Sequence, residues 1–313
     1  MQAVSNPSLP QATPDHWNNL LWALRSPDIT QNAALPWLPE SRRQRLHDYF
    51  STAGSRKYLR PLLLQSIEAN TSRRLGIYFE NLFAFAFEYH PDYALIARNL
   101  PLRNQGKTMG ELDFVVHHLP DDTVEHWELA VKFYLQVGDL WVGPGLKDRL
   151  DIKLSHTCDH QLPIIHNPTA HAQLQAEGIH IQRQWTLMPG RLFHTLPPAS
   201  QQLQATATSA GDYWWANLTT FLTTFAGTQW HWHQLPKPCW LAPLGSSQGT
   251  PEQALTAGAM GDHSDEIRTL LQARGPICVA ASDHSGELSR GFLVPDDWYS
   301  RACQGAHLPP SGA

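Results

Sequence analysis

Four charged side chains lie on two neighbouring stretches of the chain in which apolar and polar residues alternate. Residues 110–118 read Gly-Glu-Leu-Asp-Phe-Val-Val-His-His, and residues 124–137 read Val-Glu-His-Trp-Glu-Leu-Ala-Val-Lys-Phe-Tyr-Leu-Gln-Val. A period of two is typical of β-strands, and the Leu-Pro-Asp-Asp-Thr segment between them is typical of a turn. Successive side chains of a strand point to opposite faces. One face of the predicted hairpin therefore carries four charged residues: Glu111, Asp113, Glu128 and Lys132.

Carboxylates and an ammonium group on one sheet face are suited to the hydrolysis of phosphodiesters. One or two carboxylates can hold Mg2+, which neutralises phosphate charge and makes water nucleophilic at neutral pH. We therefore predict a Mg2+ (or Mn2+) site with Asp113 and Glu128 as ligands and Glu111 as a secondary candidate. Lys132 would position the water or stabilise the developing charge. The alternative is a half-exposed hairpin on which these charges form a solvated cross-strand ion pair.

A second carboxylate with a possible role lies in a predicted helix over residues 75–89. This segment is apolar nearly all round, which predicts a helix buried between other elements. The helical neighbours of Glu80 are small or aromatic residues: Gly76, Phe83, Ala84 and Phe87. A carboxylate among such residues needs a partner. Two partners remain open, either a metal or lysine of the site, or a structural arginine such as Arg73 or Arg74.

Basic residues are concentrated between residues 41 and 74, where only Asp48 and Glu68 carry negative charge. A solvated helix surface and a phosphate-contacting surface both explain this excess. A helix predicted over residues 147–161 adds three further cations. The candidate contacts to nucleic acid are five basic residues: Arg73, Arg74, Lys147, Arg149 and Lys153.

The elements that would position these residues divide the chain into four regions. Residues 1–70 are predicted as an N-terminal helical region, and residues 71–196 as a core with the helix over 75–89, a strand over 93–102, the hairpin, the helix over 147–161 and a strand over 185–196. Residues 197–212 have the composition of a loop or linker. Residues 213–302 are predicted as an α+β extension that begins with a helix over 213–225, and residues 303–313 as a disordered tail.

Length, charge and cysteine usage exclude several classes of protein. The 313 residues suffice for one large or two modest domains, and the net charge of -5 counts against non-specific coating of nucleic acid. No apolar run approaches the roughly 20 residues that span a bilayer, and the N-terminus lacks the pattern of a signal peptide. The four cysteines form no C-x-x-C pair. A cytoplasmic protein without membrane partners is the expectation.

The order of these elements and motifs resembles the PD-(D/E)xK nuclease superfamily, which has the restriction-endonuclease-like fold. Gly110-Glu111-Leu112-Asp113-Phe114 is similar to the Gly-Glu-Ile/Leu-Asp segment of its resolvase-like branches. A wider set of segments resembles an uncharacterised bacterial family known only as a domain of unknown function, over most of the chain. These segments are 75–80, 126–135, 147–154 and 290–295.

The resemblance implies an α/β (α+β) fold with a small central mixed sheet flanked by helices. It also implies that Asp113 binds Mg2+, that Lys132 orients or activates water, and that Glu80 assists from the first helix of the core. One departure is Ala130, which stands where the superfamily's E-x-K pattern has a carboxylate. Glu128 lies two residues earlier on the same face, roughly 6.5 Å along the strand, and we interpret it as a migrated ligand.

The sequence therefore predicts a metal-dependent nuclease acting on DNA or RNA. The alternative is an inactive module of the same fold that binds nucleic acid or a protein partner. The choice between DNA and RNA, endo- or exonuclease action, and the oligomeric state stay open.

Overall fold

The chain forms two compact units, each assembled from separated stretches of sequence. The computed structural model describes residues 9–70, 72–197, 213–245 and 254–307. One unit comprises His16–Lys132 and Asp151–Gly190, and we call it the four-stranded unit after its sheet. The seven-stranded unit comprises the described residues of Met1–Asp15, Phe133–Leu150 and Arg191–Ala313. The sequence-based regions, in contrast, follow one another along the chain.

Four helices open the four-stranded unit. They are α1 (His16–Arg25), α2 (Glu40–Ser51), α3 (Ala53–Glu68) and α4 (Leu75–Tyr89). The observed α4 matches the helix predicted from its apolar residues. Its buried side chains cover most of the circumference, whereas Gly76, Glu80, Ala84 and Glu88 lie on a stripe that is exposed or half-buried. The buried residues are Tyr78, Phe79, Asn81, Leu82, Phe83, Phe85, Ala86 and Phe87.

The sheet of this unit has the order β1-β2-β3-β6. Its strands are β1 (Tyr93–Asn104), β2 (Lys107–His118), β3 (Thr123–Leu129) and β6 (Arg183–Leu187). The pairs β1-β2 and β2-β3 are antiparallel, which confirms the predicted three-stranded meander, and β3-β6 is parallel. Both faces of β3 are buried, since Trp127 on one face and His126 on the other are inaccessible to solvent.

The second strand of the predicted hairpin is two strands in the structure. β3 ends at Leu129, and after Ala130 and Val131 the chain enters β4 (Lys132–Val137), which belongs to the seven-stranded sheet. Ala130 and Lys132 still donate backbone hydrogen bonds, to the carbonyl oxygens of Leu187 (3.0 Å) and Pro189 (3.1 Å). The alternation of side chains continues through this point, so the break is invisible in the sequence pattern.

Helical segments after residue 150 complete the four-stranded unit. They are α5 (Leu150–His156), a π-helical turn (Thr157–Gln161), a 3-10 turn (Pro163–His166) and α6 (Pro168–Ala176). The helix predicted over 147–161 is thus shorter at its start and changes to π geometry at its end. Single π-helical turns are uncommon and often occur at functional sites. The side chain of Asn167 caps α6 by accepting the backbone N–H of Thr169.

The seven-stranded sheet has the order β5-β4-β7-β8-β11-β10-β9. The strands not yet given are β5 (Leu140–Val142), β7 (Gly190–Thr195), β8 (Trp214–Asn217), β9 (His231–Gln234), β10 (Ile277–Asp283) and β11 (Gly286–Val294). The helices are α7 (Leu218–Phe225), α8 (Ala257–Asp262), α9 (Ser264–Arg274) and α10 (Trp298–Gly305). Trp214 and Trp232 pack in its core with Phe221 and Phe225.

Two predictions for the C-terminal region were wrong in part. The helix predicted over 213–225 begins with strand β8, which pairs in parallel with β11. The tail predicted from residue 303 begins inside α10, where Cys303 is only 1% exposed. Residues 198–212, 246–253 and 308–313, which include most of the predicted linker and the rest of the tail, lie outside the described residues.

The chain is therefore a mixed α/β protein. Its described residues form ten α-helices and two mixed sheets. None of the helices in the described part of the chain has the length and apolar character needed to cross a membrane.

Candidate metal centre

Asp113 and Glu128 lie one position beyond the last pair of the β2-β3 ladder. Phe114 pairs with Trp127 in the antiparallel β2-β3 ladder, so the next position along brings Asp113 beside Glu128. Side chains at such positions have Cβ atoms about 4.5–5.5 Å apart. The backbone N–H of Leu129 donates to Asp113 Oδ2 at 2.8 Å. On the other side of Glu128, the parallel register pairs it with Thr186 of β6. A row of three oxygen-bearing side chains therefore crosses the middle of the sheet.

Burial makes the negative charges of this pair unfavourable. Glu128 is 2% exposed and Asp113 is half-buried. Burial, and then the charge of Asp113, raises the pKa of Glu128 above its ordinary value. Burial also raises the pKa of Asp113, and the charges of Glu80 and Glu111 add to this effect. The alternative of a solvated surface ion pair does not fit a glutamate buried to this degree.

Lys153 and Gln161 contact one carboxylate oxygen of Glu128. The Lys153 Nζ atom lies 3.5 Å from Glu128 Oε1, and Gln161 Nε2 donates to the same oxygen. Gln161 Oε1 in turn accepts hydrogen bonds from Lys153 Nζ (2.6 Å) and from Thr157 Oγ1 (2.9 Å). The charge of Lys153 lowers the pKa of both Asp113 and Glu128, against the larger effect of burial. Helix α5 thus supplies the ammonium group of Lys153, and the π-helical turn supplies the amide of Gln161. Together they offset part of the cost of burying the Glu128 carboxylate.

Three buried polar atoms on this face have no hydrogen-bond partner: Glu128 Oε2, Thr186 Oγ1 and His126 Nε2. Such atoms are rare in folded proteins, because each one loses its hydrogen bonds to water without replacement. Here they belong to neighbouring positions on β3 and β6. The carboxylate and hydroxyl oxygens among them are of the kind that Mg2+ and Mn2+ prefer. The residues present therefore fit a hard divalent cation with part of its water shell.

His126 is held as a neutral imidazole. Gln184 Nε2 donates to His126 Nδ1 (3.0 Å) and to the carbonyl oxygen of Leu162 (2.9 Å). Burial lowers the pKa of His126 to about 4, so its ring is uncharged at neutral pH. Because Nδ1 accepts a hydrogen bond, the proton resides on Nε2. His126 thus presents an N–H donor rather than a metal-binding lone pair.

Glu80 of α4 is close enough to Asp113 to affect its charge state, and its role at the site stays a prediction. Its charge raises the pKa of Asp113, and its Oε2 atom lies 3.5 Å from Arg98 Nη2. Arg98 also donates to Asn81 Oδ1 at 2.7 Å and lies over the Phe114 ring. The sequence left two kinds of partner open for Glu80, a metal or lysine of the site and a structural arginine. The structure shows an arginine, Arg98, and this pair lies beside the candidate centre.

Comparison with protein families assigns most of the chain. The model of the "Domain of unknown function (DUF1853)" matches residues 18–294. The chain belongs to the DUF1853 family. The predicted likeness to a domain of unknown function is thereby confirmed, and the match contains every residue of the candidate centre. Comparison with curated proteins and with solved structures found no match. The likeness to PD-(D/E)xK nucleases stays a prediction.

The remaining candidates of this DUF1853 domain occupy different surroundings. Lys132 is half-buried as the first residue of β4, and its role at the site stays a prediction. Glu111 is exposed on β2. Arg73 and Arg74 are exposed just before α4. Lys147 and Arg149 belong to the seven-stranded unit, the former exposed and the latter half-buried.

Lys153 was expected at a nucleic-acid surface and instead contacts Glu128. Lys153, Thr157 and Gln161 recur every four residues, which places polar side chains along one side of a helix. This row of polar side chains could have identified Lys153 as a residue of the site. The sequence does not show which side of the helix faces Glu128, because the packing of α5 against the sheet decides that.

A second cluster of possible ligands lies at the β2-β3 turn. Ligand atoms of His118, Asp121 and Glu125 are all within 4.8 Å of one another. Arg42 Nη2 lies 2.5 Å from Glu125 Oε1, and Arg183 Nη1 lies 2.5 Å from Asp121 Oδ2. Hydrogen bonds, first of all from His118, lower the pKa of Asp121. The cluster is a compensated ion-pair network that ties α2 to the turn, so we do not assign it a metal.

Proposed function

We propose that the protein is a divalent-metal-dependent nuclease that hydrolyses phosphodiester bonds of DNA or RNA at the Asp113–Glu128 pair. The observation that carries the proposal is the unpartnered Oε2 of Glu128, buried directly across the ladder from a second carboxyl group. Two neighbouring buried carboxylates repel one another, and a cation between them removes the repulsion. The resemblance to the restriction-endonuclease-like core supports the same assignment through Glu80, Asp113 and a lysine.

Asp113 and Glu128 would hold Mg2+ or Mn2+, with the Thr186 hydroxyl available beside them. The bound ion would supply charge neutralisation at the phosphate and a more acidic water molecule. Lys153 is within reach of Glu128 and would orient the attacking water or stabilise the developing charge. Lys132 remains the candidate for the same role that the motif predicts. Glu80 would restrain the geometry of Asp113 from α4.

The surface near α4 supports a phosphate-bearing substrate. Arg73 and Arg74 are exposed and form no ion pair with the described residues. Glu80 lies six or seven residues further along, which corresponds to roughly 9–10 Å of helix axis. Phosphates bound by these arginines would therefore flank the candidate centre. Lys147 and Arg149 stay further candidates for nucleic-acid contact.

Cleavage assays with purified protein test the proposal. DNA and RNA, each single-stranded and duplex, are incubated with Mg2+, with Mn2+ or with EDTA. We expect metal-dependent cleavage that falls by a factor on the order of 100 or more in Asp113→Ala and Glu128→Ala. Lys153→Ala and Lys132→Ala, compared side by side, identify the lysine that acts. Glu88→Ala is the matched control, because Glu88 is an exposed carboxylate on α4. Cleavage that persists in EDTA or in Asp113→Ala would contradict the proposal.

The inactive binding module is a second candidate, and two observations favour it. Ala130 occupies the E-x-K carboxylate position, and the Oε1 atom of Glu128 is already engaged by Gln161 and Lys153. This candidate predicts that nucleic acid or a protein partner binds without any metal-dependent cleavage. The same assays, read for binding as well as for products, separate the two.

A further inference from the structure

The arginines of α2 and the cations that follow them differ in what they contact. Each α2 arginine pairs with a carboxylate: Arg42 with Glu125 (2.5 Å), Arg43 with Asp28 (2.7 Å) and Arg45 with Asp92 (2.5 Å). The exposed cations of α3 and of the segment before α4 form no ion pair within the described part of the chain. They are Arg56, Lys57, Arg60, Arg73 and Arg74. Glu68 is the single acidic residue between positions 53 and 74. Positive charge therefore accumulates here in a chain whose net charge is -5.

An exposed aromatic ring lies among these cations. Tyr58 is 69% exposed, and Lys57 Nζ lies 5.3 Å from the centre of its ring. At 100° per residue, Arg56, Arg60 and Lys57 span about 100° of the circumference of α3, and Tyr58 lies about 100° beyond Lys57. Leu63, seven residues after Arg56, is buried next to the Arg56 edge of this arc, so Lys57 and Tyr58 lie furthest from the buried side of the helix. The outward side of α3 thus offers both cations and a free aromatic face.

We propose that this outward side of α3 binds single-stranded nucleic acid, with Arg56, Lys57 and Arg60 on the phosphates and Tyr58 stacked on an unpaired base. Phosphates are recognised by unpaired cations, whereas stacking on a side chain requires a base that is not already stacked inside a duplex. The inference deepens the proposed function, because it names the strand state of the substrate, and it rests on that proposal for cleavage.

The position of α3 suits delivery of a strand to the candidate centre. Helix α3 packs against α4, which carries Glu80, and Arg73 and Arg74 lie between the two helices in the chain. Unpaired cations therefore lie in the first half of α3 and again just before α4, with none between residues 60 and 73. A strand that follows them approaches the end of α4 nearest Glu80.

An anionic membrane surface is the competing occupant for a basic helix with exposed apolar residues. Such a helix needs a broad apolar face that enters the lipid headgroups. In α3 the apolar residues Leu63, Leu59 and Ile67 are buried or half-buried within the four-stranded unit. The exposed Leu62 and Leu64 lie on different flanks. The observations favour nucleic acid.

Binding of fluorescently labelled strands in EDTA tests the inference separately from catalysis. Full-length protein is titrated with single-stranded DNA, single-stranded RNA and duplex DNA at several salt concentrations. We expect single strands to bind on the order of tenfold more tightly than the duplex. Arg56→Ala/Arg60→Ala should weaken binding and lower the salt slope by about 1.4, since each phosphate contact on a single strand contributes about 0.7. Lys237→Ala/Arg274→Ala is the matched control, because it removes two exposed cations from the seven-stranded unit.

Substitutions at Tyr58 provide the decisive comparison. Tyr58→Ala should weaken single-strand binding by a factor on the order of ten, and Tyr58→Phe should retain it, because stacking needs the ring and not the hydroxyl. Equal affinity for duplex and single strands, or no effect of Tyr58→Ala, would overturn the inference. So would α3-dependent binding to phosphatidylserine vesicles without binding to nucleic acid. Strand binding by Asp113→Ala in EDTA, with no cleavage by wild type in Mg2+, would leave the inference standing and remove the proposed function.

Discussion

Asp113 and Glu128 lower the stability of the metal-free protein at neutral pH. Burial raises the folded-state pKa of both groups, and the charge of Asp113 adds to the rise for Glu128, so folding favours their protonated forms. A carboxyl group whose pKa is higher in the folded state contributes to the free energy of unfolding. This contribution is fully present below the pKa of the group in the unfolded chain, and it is lost as the pH rises through the pKa of the group in the folded protein. For Glu128 this loss begins near 4.5, the ordinary pKa of a glutamate, and extends upward. A bound cation would reverse this loss of stability at neutral pH.

Replacing Glu128 with glutamine should therefore stabilise the metal-free protein. We expect Glu128→Gln in EDTA at pH 8 to increase the free energy of unfolding by about 1–2 kcal/mol, with a flatter pH dependence than wild type. The same variant should lose any stabilisation by Mg2+. Urea unfolding between pH 5 and pH 9, with and without Mg2+, measures both effects. Glu88→Gln, at an exposed position of α4, should change neither. A Glu128→Gln variant that is less stable than wild type at pH 8 would contradict this account.

The candidate centre was predictable where it depends on strand periodicity. Asp113 and Glu128 come together because alternation and a short turn determine both the face and the register. Lys153 was assigned elsewhere, because its contact with Glu128 depends on how α5 packs. The arginine beside Glu80 was misassigned for a similar reason, since Arg98 reaches Glu80 across the α4-β1 contact and not along the helix.

At the scale of the elements, secondary structure was predicted best where the residues of one segment determine its conformation without a distant partner. Helix α4 and the β1-β2-β3 meander follow from apolar periodicity and turn residues. Strand β8 was predicted as helix because its aromatic residues suit either state, and the residues of β11 that pair with it lie 77 positions later in the chain. The division into β3 and β4 was missed because the alternation of side chains continues through it. The two strands are separate because they pair with different strands, in different sheets.

Gly190 permits the close approach of two backbones where β3 leads into β4. A Cβ atom at this position would lie 1.9 Å from the carbonyl oxygen of Lys132, which is backbone and cannot rotate away. We expect Gly190→Ala to lower the free energy of unfolding by about 2–3 kcal/mol. Thermal unfolding monitored by circular dichroism measures the change.

Gly54→Ala is the control for this prediction. A Cβ at Gly54, near the start of α3, meets no atom within 4 Å. Because alanine favours helix over glycine, this variant should be neutral or more stable by up to about 1 kcal/mol. Equal destabilisation by the two substitutions would show that the contact with Lys132 is not the cause.

At the scale of the whole molecule, the N-terminal helices are integral to the four-stranded unit. Asp28 accepts hydrogen bonds from buried Arg43 (2.7 Å) and from the backbone N–H of Met188 (2.6 Å). Asn19 of α1 donates to the Tyr78 hydroxyl of α4 at 2.8 Å. The contacts of Asp28 with Met188 and of Asn19 with Tyr78 cross the boundary predicted at residue 70. Removal of residues before that boundary leaves buried polar groups without partners.

Two fragments test this dependence. We expect a fragment of residues 16–190 to unfold cooperatively on heating, because it contains every residue of the four-stranded unit. A fragment of residues 71–196, which lacks α1, α2 and α3, should show no cooperative transition. Circular dichroism and differential scanning calorimetry distinguish the two. Cooperative unfolding of the shorter fragment would show that the predicted core is self-sufficient.

The division of the chain between the two units also sets an order of events on the ribosome. All residues of the four-stranded unit have been translated once Gly190 is added, including Met188, which closes the contact with Asp28. Strand β4, translated much earlier, can pair at once with β5, but its other neighbour in the sheet, β7, emerges about 50 residues later. During that interval its apolar side chains, Phe133, Tyr134 and Leu135, lack the rest of the seven-stranded sheet. We expect this nascent segment to be a site where chaperones that bind exposed apolar stretches contact the growing chain.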